Sequence, residues 1–303
     1  MQFSKPFAPS PGGILLIPAI STGFVSQATL DLIIHQFHIP KIGNFIQYEI
    51  NPICVSEDGQ LRTALELYYD VHQNLSIIQI LSTPLEGNSL AFVLDIVKWI
   101  RQFQFENIYI LSGALSTFRL PSQIETIVPG GKRAIWLKEF PQSRVNQMRS
   151  FGWQELEQWK ENNIVGIGTG NLLCLLLAVQ GYDSDQIKNI IQEIENNSFA
   201  EIKKEQPKEK EKEEPKEKQK VEQIEKEKEG LIPILSQQPP PKFAPLPVCS
   251  LIYFCSEENS TLQLAEQFAK QLKEIFKWKE EIIIPQMMEW GPRSICQSYS
   301  NLY

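Results

Sequence analysis

A chain of 303 residues, 42% hydrophobic and 10% aromatic, is long enough to bury one large core or two smaller ones. Its formal charge of −7 at pH 7 runs against general nucleic-acid binding, which relies on a basic surface to displace counterions from phosphates. Nor does it favour anionic membranes, and the densest apolar run, Leu172–Ala178, is far short of the roughly 20 residues a bilayer span needs.

The first element is a strand over Ile14–Ile20, interrupted by Pro18, in a context that does not resemble a signal peptide. A Ser-Thr-Gly turn at 21–23 leads to a helix with Ser26 as candidate cap and Leu30, Ile33, Ile34 and Phe37 on its apolar face. Strands are expected over Phe45–Ile50, Leu65–Tyr69 and Leu75–Leu81. A helix follows Asn88, with Leu90, Val93, Leu94, Val97 and Ile100 along one side. Ile108–Leu111 and Arg133–Leu137 read as strands, Glu155–Lys160 as a short helix, Ile164–Gly168 as a strand, and a helix lies around Asp185–Ile194.

The composition then changes abruptly. Residues 201–229 hold 11 acidic and 10 basic residues, and QQPPPKFAPLP follows at 237–247. Such a stretch offers no apolar stripe to dock, so 198–246 reads as a solvated, disordered insertion. Strand and helix signals resume with Val248–Cys255 and a helix opened by Ser260 and Gln263, the pattern of a capping box. Its face carries Ala265, Phe268, Ala269, Leu272, Ile275 and Phe276. One α/β domain over 1–197 and 247–285, with helices on both faces of its sheet, accounts for the alternation. Residues 286–303 read as a C-terminal tail in which Met287, Met288 and Trp290 are either contact or core residues.

Chemical signatures are weak. The 21–23 turn has a single glycine, too few for a dinucleotide fingerprint or a P-loop. GIGTG at 166–170 lacks the third glycine and the acidic partner; it reads as a structural turn, with a nest for an anion as the alternative. Ser112 in LSGALS lacks the preceding glycine of a nucleophile elbow. Of the three histidines, His35 and His38 fall at or beyond the end of the first helix and His72 between two strands. No His/Cys/Asp/Glu grouping has metal-ligand spacing. The five cysteines, Cys54, Cys174, Cys249, Cys255 and Cys296, are scattered and include no CxxC pair. Reduced thiols in the cytoplasm or nucleus are therefore expected. No catalytic, cofactor-binding or metal-binding residue is assigned.

Several stretches in order resemble the proteasome assembly chaperone 2 family: LLIPAISTGFVSQATLDLII at 15–34, KIGNF at 41–45, IYILSGALS, SFGWQELEQ at 150–158, IVGIGTGNLL and LIYFCSEENSTLQLAEQFAKQL. The resemblance covers most of the chain outside 198–246. It implies a three-layer α/β sandwich related to phosphorylase/hydrolase-like domains but without an active site. It also implies a non-enzymatic role as a heterodimer with proteasome assembly chaperone 1 on the α-subunit ring of the 20S proteasome. The resemblance further implies that a C-terminal tail with a hydrophobic residue, a tyrosine and any final residue can insert into pockets between α subunits, with Leu302 and Tyr303 as the candidate docking residues. This chain ends Leu302-Tyr303, with the tyrosine last rather than next to last. The rival reading is a phosphorylase- or hydrolase-like small-molecule enzyme using the Ser21–Gly23 turn or the Gly166–Gly170 loop.

Overall fold

The computed structural model describes residues 2–3, 11–20, 24–46, 48–57, 60–115, 132–156, 171–192, 241–255, 260–279 and 282. The strands are β1 (Gln2–Phe3), β2 (Gly13–Pro18), β3 (Lys41–Asn44), β4 (Cys54–Glu57), β5 (Gln60–Thr63), β6 (Leu65–Asp70), β7 (Leu75–Ile80), β8 (Phe105–Leu115), β9 (Lys132–Trp136), β10 (Gln154–Glu155) and β11 (Val248–Cys255). The helices are α1 (Val25–Gln36), α2 (Ser89–Ile100), α3 (Gln142–Ser150), α4 (Asn171–Val179), helical residues 184–192 (α5) and α6 (Thr261–Phe276).

Among the described residues nine strands form one mixed sheet in the order β1-β3-β6-β7-β2-β8-β11-β9-β10, while β4 and β5 pair apart from it as a hairpin. β7, β2, β8 and β11 run parallel at the centre; β6, β3 and β1 continue antiparallel on one side, and β9 is antiparallel to β11 on the other. Parallel strands need both faces covered, and their sequences are correspondingly mostly apolar, with Ser76, Gln79, Asn107, Ser112 and Ser250 as buried polar exceptions. Alternation sorts their side chains. Leu15, Ile17, Ile108, Ile110, Val248 and Ile252 pack with α2, α4 and α5. Leu16, Tyr109, Leu111, Cys249, Leu251 and Tyr253 pack with α1, α3 and α6. The result is the three-layer α/β arrangement. The helix pair α1/α6 closes over Ala28, Leu32 and Ala265, small enough at two of three positions to bring the axes together.

The capping box holds as read: Gln263 N donates to Ser260 Oγ at 3.3 Å, and Ser260 N to Gln263 Oε1 at 3.1 Å. Three expectations are corrected. Ser26 does not cap α1; the helix starts one residue earlier after Phe24, whose φ is 51°. Ser26 Oγ instead donates back to Ala19 O at 2.9 Å, tying the helix to the end of β2. Among the described residues of Phe45–Ile50 there is no strand, only an isolated bridge from Ile50 to Pro84. The ladder there is Lys41–Asn44, extended by Phe45 N donating to Leu65 O at 3.0 Å, and the Phe45 ring stands edge-on to Trp99 with ring centroids 5.1 Å apart. Glu155 does not begin a helix: Gln154–Glu155 adds to β9, and Leu156 N extends the ladder to Ala134 O at 2.9 Å. The rest of that expected helix, 157–160, lies outside the described residues, as does the expected strand at 164–168. Of the expected insertion, 241–246 are described.

Candidate interaction surface

The residues singled out for chemistry do not converge. Ser112 sits on central strand β8, fully buried, and its Oγ has no hydrogen-bond partner among the described residues. A nucleophile needs a base within reach and access for substrate, and this position supplies neither. His35 is in the last turn of α1, His38 follows it with φ 51°, and the two rings stand 6.2 Å apart. His72 lies in the β6–β7 turn, where its backbone N–H donates to Asp70 Oδ1 at 2.8 Å. Among the described residues no three His, Cys, Asp or Glu side chains group as a metal site. Cys174 and Cys249 are buried free thiols. Burial pushes the first up to about 11 and the second well above its ordinary value, so neither is a ready thiolate. The Ser21–Gly23 turn, the Gly166–Gly170 loop, Met287, Met288, Trp290, Leu302 and Tyr303 lie outside the described residues.

The chemistry the fold does concentrate is ionic and lies under the β4–β5 hairpin. Glu66, fully buried on β6, accepts from Arg62 Nε at 2.8 Å, from the Thr63 backbone N–H at 2.8 Å and from Tyr68 Oη at 2.7 Å. It also pairs with Lys41 Nζ. Arg62 reaches across with Nη2 to Asp31 Oδ1 on α1, at 2.9 Å, and Gln79 Nε2 donates to the same oxygen at 2.7 Å. Burial pushes the Asp31 carboxyl above its usual range, opposed by the Arg62 charge. Burial opposes the charge on Arg62, yet Asp31, Tyr68 and Glu66 raise its pKa above its ordinary value. Two carboxylates and two cations compensate one another, which is how charges survive burial.

This cluster fixes the hairpin on the sheet and with it the exposed side chain of Leu61. Lys41 Nζ donates to Leu61 O at 2.6 Å, and Thr63 Oγ1 to Asn44 Oδ1 at 2.9 Å. Leu61 and Ile46 each stand two residues from that Thr63–Asn44 contact. Ile46 is 53%, Leu61 55% and nearby-in-sequence Tyr48 84% exposed. Exposed apolar groups are the character of a contact surface rather than of a catalytic cleft. Sequence reading missed this feature because Arg62, Glu66, Asp31 and Lys41 belong to four different elements. Only the polar residue Glu66 inside the apolar run Leu65–Tyr69 signalled it.

A family model described as the PAC2 family matches residues 15–248. The chain belongs to the PAC2 family. Among curated relatives, Proteasome assembly chaperone 2 of Xenopus tropicalis is 29% identical over 152 residues, 48% of this chain and 57% of that protein. That of Xenopus laevis is 33% identical over 118 residues, 36% of this chain and 46% of that protein. The chain thus spans about half the length of the curated relatives it matches. Among solved structures, Pyrococcus furiosus PbaA, described as an archaeal homolog of proteasome-assembly chaperone, is similar with a TM-score of 0.49 at 10% identity. The match covers 99% of this chain and 92% of that chain. The PAC2 match runs from β2 into the first residue of β11, across the whole ionic cluster and across the charged segment.

Proposed function

We propose that this PAC2-family chain is a non-catalytic proteasome assembly chaperone. It works as a heterodimer with a homologue of proteasome assembly chaperone 1 and promotes formation of the α-subunit ring of the 20S proteasome, in cytoplasm and nucleus. The observation that carries this reading is the family match over 15–248 together with curated relatives named Proteasome assembly chaperone 2. The described residues agree with it in character: Ser112 is sealed in the sheet, Leu61 stands exposed on the charge-locked hairpin, and Ile46 and Tyr48 are exposed on the segment that follows β3. Those three residues are the proposed contact with the partner chaperone. Leu302 and Tyr303 are the proposed contact with an α-subunit pocket.

The test is affinity purification of the tagged chain from its own cells, followed by mass spectrometry. Recovery of a proteasome assembly chaperone 1 homologue and of 20S α subunits is expected. Recovery of neither, with turnover of a phosphorylated or ester substrate by the purified chain, overturns the reading in favour of the phosphorylase/hydrolase-like enzyme.

A further inference from the structure

The chain returns from its charged segment at one fixed corner of the fold. α4 ends at Val179, and Gly181 turns the backbone at φ 102°, where a side chain is strained. A Cβ at 181 would lie 2.0 Å from the Phe243 carbonyl oxygen, so glycine is what lets the returning chain lie alongside. Phe243 N donates to Gly181 O at 3.1 Å, Leu246 N to Val179 O at 2.9 Å, and Ile108 N to Pro247 O at 3.0 Å. Arg101, at the end of α2, clamps the same place. Its Nη1 donates to Ala244 O at 2.5 Å and its Nη2 to Ala178 O at 3.3 Å, with the guanidinium 5.6 Å from the Phe243 ring centroid. A cation there also suits the carbonyl end of α4.

Asp183 ties in the departing end. Gln186 N donates to Asp183 Oδ1 at 2.9 Å while Asp183 N donates to Gln186 Oε1 at 3.1 Å, a reciprocal cap that starts α5. Its other oxygen, Oδ2, pairs with Lys242 Nζ. The residue that opens the helix leading into 193–240 therefore binds a residue that has just come out of that segment.

We propose that residues 241–247 are a strap that closes the charged segment off at its base. Binding, modification or cleavage within 201–229 then leaves the sheet undisturbed. What the strap protects is β11, which enters the sheet between β8 and β9 directly from residue 247 and brings α6 with it. Closing a long loop costs little more than closing a short one, because the entropy grows only with the logarithm of its length. A segment of any sequence is therefore tolerated once its two ends are pinned.

The experiment places a site-specific protease sequence within 212–218 of the full chain and compares cut with uncut protein by gel filtration and thermal unfolding. The two pieces are expected to co-elute as one species, with an unfolding midpoint within about 3 °C of the uncut chain. Arg101→Ala and Phe243→Ala, each shown to be folded by circular dichroism before cutting, are expected to lose this protection. After cutting, their midpoints fall by more than about 3 °C, or the piece carrying β11 and α6 separates. Separation of the cut wild-type chain, or a fall of its midpoint beyond that margin, overturns the proposal. So does equal behaviour of the cut wild type and both cut variants.

Discussion

Arg62 Nη2 lies 2.9 Å from Asp31 Oδ1, so a residue of the β4–β5 hairpin is ionically bound to the first helix of the domain. The two side chains are only 15% and 12% exposed, and the other arm of the same guanidinium holds fully buried Glu66. Among the described residues the hairpin forms no ladder with the main sheet, and this charge network ties it there.

Glu66→Ala is expected to cost about 3–5 kcal/mol, the usual result of removing one member of a buried charged network. It leaves Arg62 and Lys41 with their burial and without their shared acceptor. Urea denaturation of the two proteins measures it. A loss under about 1 kcal/mol would mean that water replaces the carboxylate and that the hairpin is not held as described.

Asp31 gives a pH signature with a definite sign. Its carboxyl is raised from 3.8 by burial, so the folded state holds that proton more tightly than the unfolded chain. Its stabilising contribution is therefore fully present below the unfolded value and is lost as pH rises through the folded one. The stability advantage of wild type over Asp31→Asn is expected to shrink as pH rises above the ordinary carboxylate value of 3.8, read by denaturation at a series of pH values. An advantage that grows with pH would show instead that the Arg62 charge outweighs desolvation.

Ser112 separates the chaperone reading from the hydrolytic one at a single atom. Its hydroxyl is buried without a partner among the described residues, so Ser112→Ala is expected to leave stability unchanged or slightly improved. Partner binding should also be unaffected. Loss of a measurable hydrolytic activity in this variant would assign the serine a chemical role.

Ser260→Ala removes half of the reciprocal cap on α6 and is expected to cost about 0.5–2 kcal/mol. Thermal unfolding checks it, and a change within error would show that α6 is held by its buried face alone.

The repetitive parts of this fold were legible because one period explains them. α6 announces itself through Ser260, Gln263 and the spacing of Ala265, Phe268, Ala269 and Leu272, all of which the structure buries or caps as the pattern requires. β2, β8 and β11 are apolar on both faces, as central parallel strands must be. What was not legible depends on contacts between distant residues. The ladder at Lys41–Asn44 takes its place from pairing with β6, while the Phe45 ring that follows packs beside Trp99. α3 (Gln142–Ser150) buries little beyond Val145 and Met148, and a helix so polar leaves no apolar period to read. The ionic cluster left only Glu66 as a sign in the sequence, since Asp31 and Glu66 are joined through Arg62 from three different elements.

The central claim is that this chain works through surfaces, as one half of a chaperone pair. Native mass spectrometry of the chain co-expressed with its proteasome assembly chaperone 1 homologue, with and without 20S α subunits, tests it most directly. The account predicts a one-to-one complex that gains α subunits when they are added and that is weakened at least tenfold by Tyr48→Asp with Leu61→Asp, which leave unfolding unchanged. A chain that stays alone in the presence of both partners would contradict it.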